Sequence, residues 1–177
     1  WPMKQILMPS GTWDAGAEPE PYFRSLKNYR HFVLSLFRDA SVTVEDAKIV
    51  SEALSNRGEP IESQFRISAM TEDWCGDSAT TLPYIARLAE SVHCSMRIVR
   101  RGDAPSLRSL YETSGTDHIP VVSVWQLATD EEWNEVARWV ERPQSAELRV
   151  REWMEAHPDF TTLRSKKDTD KAAAKEY

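Results

Sequence analysis

Residues 72–78 read Glu72-Asp73-Trp74-Cys75-Gly76-Asp77-Ser78 and place one thiol between strand-forming and helix-forming residues. A thiol at such a junction faces unpaired backbone N–H groups and the positive end of a helix dipole. Both favour the thiolate, which is the nucleophilic form. A lone cysteine also reads as a small buried hydrophobe, so the chemistry depends on its neighbours. Glu72, Asp73 and Asp77 bring negative charge towards the sulfur, and negative charge opposes the thiolate. Ser78 can hydrogen-bond a neighbouring sulfur or cap the helix, but a hydroxyl cannot attack a disulfide. The second cysteine, Cys94, follows the helix that Cys75 begins. About 15 helical residues at ~1.5 Å each put the two more than ~20 Å apart, whereas a disulfide needs Cα atoms within ~7 Å. No Cys75–Cys94 disulfide is expected, and Cys94 reads as a structural residue at a strand start.

The elements that must hold Cys75 follow from the patterning. Residues 1–21, punctuated by Pro2, Pro9, Gly11, Gly16, Pro19 and Pro21, read as irregular. Phe23, Leu26, Tyr29, Val33, Leu36 and Phe37 form a helical stripe over 22–39. Thr43 with Asp46 resembles a capping arrangement and opens a second helix, which ends before Gly58 and is blocked by Pro60. Strands are predicted at 65–70, 96–99, 119–125 and 135–140, and helices at 78–92, 104–111 and 145–156. The polar stretch 128–134 reads as a turn. From residue 65 the order is β-α-β-α-β-β-α. Its first part demands a parallel crossover, and the short turn near 130 suggests an antiparallel hairpin. The expected fold class is α/β, a mixed central sheet with helices on both faces, preceded by a helical extension. The expected domains are that extension at 1–60, the sheet domain at 61–158 and a charged tail at 159–177. The tail from Ser165 is expected to be disordered or a frayed helix.

Composition narrows the class. The 177 residues are 41% hydrophobic and 28% charged, an ordinary globular balance that can build one sizeable core. A formal net charge of −6 argues against sequence-independent nucleic-acid binding. The apolar runs are too short to span a bilayer. No basic stretch followed by an apolar one marks a leader, and the reading is cytoplasmic.

Trp74-Cys75-Gly76-Asp77-Ser78 resembles the thioredoxin active-site motif, in which Trp precedes Cys-Gly-x-Cys. Pro83 lies eight residues after Cys75, where thioredoxins carry a helix-kinking proline. Ile119-Pro120 precedes a Val-rich strand, where the family has Ile-Pro with a cis peptide bond. The resemblance covers roughly residues 62–157 and points to a bacterial branch of thioredoxin-like proteins. It implies a thioredoxin-like fold and a cis Ile119–Pro120 bond. It also implies a substrate held as an added strand by Ile119 and Pro120, with Trp74, Gly76 and Asp77 lining the site. It puts His118 on the loop facing Cys75, where it would stabilise a thiolate or shuttle a proton; otherwise His118 is a solvated loop residue. Three departures matter. Ser78 replaces the resolving cysteine, Asp77 replaces the usual proline, and Ala69 stands where the family has a buried Asp.

Cys75 with Ser78 and His118 therefore reads as a monothiol thiol–disulfide oxidoreductase that needs no cofactor. An external thiol would resolve its adduct with a disulfide-containing protein or a low-molecular-weight thiol. The competing reading is a non-catalytic thioredoxin-like binding module. Iron–sulfur binding, suggested by Cys-Gly-x-Ser in monothiol glutaredoxins, fits poorly with Asp77 and the Glu72-Asp73 approach. Zinc lacks the roughly four clustered ligands of a structural site.

Overall fold

The computed structural model describes residues 6–55, 59–129 and 131–159. The tail from Ser165 lies outside them. The chain divides into two compact units, Trp1–Glu141 and Arg142–Tyr177.

The first unit is organised by strand β1 (Phe65–Thr71), which pairs in parallel with β2 (Ser95–Arg100) and antiparallel with β3 (Val121–Thr129). Strand β4 (Glu132–Val140) pairs antiparallel with β3, so the order is β2-β1-β3-β4. The hairpin between β3 and β4 is tighter than the 128–134 turn read from sequence, because polar Glu132 and Asn134 pair as strand residues.

Side chains alternate across β1. Phe65, Ile67 and Ala69 join a core with helix α6 (Gly76–Ser91), while Met70 joins a second core with helix α7 (Pro105–Thr113). Helices therefore cover both faces of a mixed sheet. Pro83 lies within α6 and is buried.

The predicted helix over 22–39 is two helices, α2 (Pro19–Ser25) and α3 (Arg30–Asp39). Leu26 turns the chain into an extended conformation, and Tyr29 has a φ of 57°. The apolar stripe continues through the break because Tyr22, Phe23, Leu26, Val33 and Phe37 all enter the α6-side core. In helix α4 (Val44–Leu54), Thr43 caps as expected, accepting the Asp46 N–H at 3.0 Å. Pro60 does not simply stop a helix; it leads into the four-residue α5 (Ile61–Gln64).

Residues 1–21 were expected to be irregular, but the described part holds a short helix, α1 (Thr12–Ala15), between two sheet contacts. Leu7 bridges Asn134 on β4, and Ala17 bridges Ile98 on β2. One segment thus covers both outer strands, which otherwise offer unpaired backbone groups to other chains. The Arg66 guanidinium lies 4.8 Å from the Trp13 ring and 4.0 Å from the Trp133 ring, and this cation–π pair fastens the segment down. Gly16 is needed where the segment meets β2, since a Cβ there would fall 2.7 Å from Cβ of Arg97. Gly16→Ala is expected to lower stability by about 1–3 kcal/mol, the usual cost of overpacking. An unchanged urea midpoint would show that the segment shifts freely.

In the second unit, helix α8 (Gln144–Ala156) buries no residue, and Trp153 stacks on His157 with ring centroids 4.3 Å apart.

Candidate functional site

Strand β1 ends at Thr71 and α6 begins at Gly76, so residues 72–75 form the turn that presents the thiol. Cys75 is the N-cap of α6, with an extended backbone and no side-chain cap bond. Its sulfur donates to the Ile119 carbonyl at 3.5 Å. The Ile119–Pro120 peptide bond is cis. Sequence positions far apart thus meet at the start of α6. Cys75 is only 7% exposed, whereas the neighbouring Trp74 is 61% exposed. Beyond Gly76 lies the Tyr29 hydroxyl, 3.9 Å from where a Cβ on that glycine would stand.

Ser78 is buried, and its hydroxyl is paired with the Thr71 hydroxyl in a short hydrogen bond. The expected options were the sulfur or the helix cap. Thr71 takes the hydroxyl because both side chains lie between β1 and α6. Asp77 sits in the first turn of α6, where an acidic residue suits the helix dipole, and its carbonyl accepts Thr80 Oγ1 at 3.0 Å.

The acidic approach is also more tightly held than the sequence suggests. Asp73 accepts Arg100 Nε at 2.9 Å and the Lys27 N–H at 3.4 Å. Glu72 accepts the Arg101 N–H at 3.1 Å. Much of the negative charge expected to oppose the thiolate is thus directed towards a guanidinium and backbone donors. Arg100 reaches further, donating to Ser25 Oγ at 3.1 Å and lying 4.9 Å from the Tyr22 ring. It joins the N-terminal helices to the turn that carries Cys75. The sequence gives no sign of this, because the pairing spans the whole interval from α2 to β2.

His118 precedes Ile119 but is 66% exposed, and its ring nitrogens lie 3.2 Å from Asp117 and 3.2 Å from Glu141. These carboxylates, rather than the sulfur, are its contacts. The Pro120 carbonyl accepts the Glu141 N–H at 2.8 Å. Ala69 is completely buried and presents a methyl group where the resemblance leads one to look for a carboxyl.

Cys75 and Cys94 are both free and buried. Cys94 lies past the end of α6, and burial pushes its thiol up to about 11. Among the described residues, no group of three or more His, Cys, Asp or Glu is placed to hold a metal ion. No helix among them is long and apolar enough to cross a membrane.

The parallel β1-α6-β2 crossover, the thiol at the head of its helix and the proline loop against that thiol together describe a thioredoxin-like protein. The thioredoxin family model matches residues 35–157, and the chain belongs to that family. No curated protein sequence matches it. A Pseudomonas aeruginosa protein of unknown function shares the fold at 20% identity, with a TM-score of 0.59, over 78% of this chain and 80% of that one. An HIV epitope-scaffold is similar, at 20% identity and a TM-score of 0.56, over 76% and 77% of the two chains.

Proposed function

We propose that this is a monothiol thiol–disulfide oxidoreductase with Cys75 as its nucleophile, acting in the cytoplasm. The observation that carries this reading is that no second thiol reaches Cys75. Position 78 is a serine engaged with Thr71, and Cys94 lies at the other end of α6. The Cys75 thiolate would attack a disulfide, forming a mixed disulfide and releasing one substrate thiolate. An external thiol would then attack that bond, release the second half of the substrate and restore Cys75. Exposed Trp74 would support the substrate. Backbone groups of Ile119, with Pro120, Gly76 and Asp77, would border an added strand. His118 would act as a proton carrier at the rim.

At about neutral pH, iodoacetamide is expected to label Cys75 more than ~10-fold faster than Cys94, because a buried thiol with a raised pKa offers little thiolate. With glutathione as external thiol, Cys75→Ser is expected to abolish disulfide turnover and Cys94→Ser to preserve it. The binding-module reading gains from the near-complete burial of Cys75. Binding of disulfide peptides that survives Cys75→Ser, with no turnover by the unmodified protein, would favour it.

A further inference from the structure

Beside Cys75 lies a small cavity of ≈ 10 Å³. That is room for about one oxygen-sized group. Its wall includes Cys75, Ser78 and Thr71 from the thioredoxin-like core, and Tyr22 and Tyr29 from the N-terminal helices. Tyr22 is 3% exposed, and its hydroxyl has no hydrogen-bond partner among the described residues. A buried hydroxyl without a partner costs stability, so its presence here calls for a ligand. The ring cannot easily turn away. Arg100 lies over it, and Phe23 packs against it edge-on at 6.1 Å. Burial also holds the phenol well above its usual range, so it remains a donor.

We propose that this cavity receives the single oxygen of a Cys75 sulfenic acid, that the Tyr22 hydroxyl hydrogen-bonds that oxygen, and that hydroperoxides are its source. The Cys75 thiolate attacks one peroxide oxygen. The S–O bond forms as the O–O bond breaks, sulfur gives up two electrons to the peroxide, and the departing alkoxide takes a proton to become an alcohol, or water when the oxidant is hydrogen peroxide. The sulfenic acid lasts because Ser78 cannot condense with it and Cys94 is out of reach. An external thiol then attacks the sulfenic sulfur, expels water and leaves Cys75 in a mixed disulfide with that thiol, which a second external thiol attacks to restore Cys75. The N-terminal helices are thus part of the site, since they supply the donor that the core lacks. This inference rests on a reactive Cys75 and does not require disulfide turnover.

The test compares the full chain with Tyr22→Phe, which removes the hydroxyl and little else. Reduced proteins are treated with hydrogen peroxide, trapped with dimedone and mapped by mass spectrometry. The unmodified protein should give a dimedone adduct at Cys75. Tyr22→Phe should give roughly tenfold less adduct, as expected from losing one hydrogen bond to a charged or strongly polar oxygen, and correspondingly more doubly oxygenated Cys75. Its thermal midpoint should be unchanged or higher, and its iodoacetamide labelling should stay within about twofold if the reduced site is intact. Tyr22→Leu repeats the deletion should Tyr22→Phe fold poorly. Equal trapping in all three proteins overturns the proposal, as does absence of an adduct in the unmodified protein when iodoacetamide labels Cys75. Adduct formation without disulfide turnover removes the oxidoreductase reading and leaves this one standing. Failure of iodoacetamide to label Cys75 removes both.

Discussion

Ser78→Cys is expected to convert the site to dithiol chemistry. Positions 75 and 78 are one helical turn apart at the start of α6, and residues spaced this way are neighbours on a helix surface. Both are buried, so a thiol at 78 comes within disulfide range of Cys75 without backbone rearrangement. The substitution gives up the Ser78–Thr71 hydrogen bond, worth about 1 kcal/mol, and the variant should still fold. Mild oxidation should remove two titratable thiols per chain. An internal thiol also resolves a mixed disulfide as a unimolecular step. Release of reduced insulin should then be roughly 10²-fold or more faster than with millimolar external thiol. A variant that keeps all its thiols after oxidation would mean that residues 74–78 do not align with the thioredoxin motif. A variant that forms the bond yet reduces nothing would leave the fold intact and favour the binding module.

The largest stability effect is expected on the opposite face of the sheet. Glu135 on β4 is almost enclosed, its side chain only 6% exposed, and Arg138 is 16% exposed. The guanidinium donates to Glu135 through Nε at 2.8 Å and Nη2 at 2.6 Å. Ser123 donates to the same carboxylate at 2.5 Å and lies 2.7 Å from the Tyr111 hydroxyl. Arg138→Ala leaves a buried carboxylate uncompensated and should cost about 3–5 kcal/mol. In a chain of this size that lowers the thermal midpoint by roughly 10 °C. Replacing both partners, Glu135→Leu with Arg138→Met, should recover most of the loss, because a well-packed apolar pair can replace a buried ion pair. A single variant that melts with the unmodified protein would mean that water reaches this pair.

What the sequence reveals follows from the range of the interactions involved. Strand β1, helix α6 and the thiol between them are local. Alternating and helical periods mark the elements, and Trp74 to Ser78 marks the turn. The cap at Thr43 is likewise written within four residues. The break between α2 and α3 is not, because the residues on either side of it point into one core and keep the helical stripe going. Helix α1 and the bridges of Leu7 and Ala17 are hidden for another reason: each strand contact is a single pair, too short to leave a period. The buried serines Ser68 and Ser123 look like surface residues until Trp125 and Tyr111 are placed beside them. The Trp125 indole donates to Ser68 at 2.8 Å. The site divides along the same line. The positions of Cys75 and Ser78 can be read directly, whereas the contacts of Tyr22, Arg100 and Asp73 join distant segments.

The N-terminal segment also has a consequence for how the molecule is made. Residues 6–17 leave the ribosome before every strand they touch, yet Ala17 waits for β2 and Leu7 waits for β4. The earliest described part of the chain is therefore among the last to find its place. Contacts of such long sequence separation are slow to form, and until they do, both outer strands of the nascent sheet are open to other chains. A variant that loosens this segment should lose yield through aggregation during synthesis, even where the purified protein melts normally.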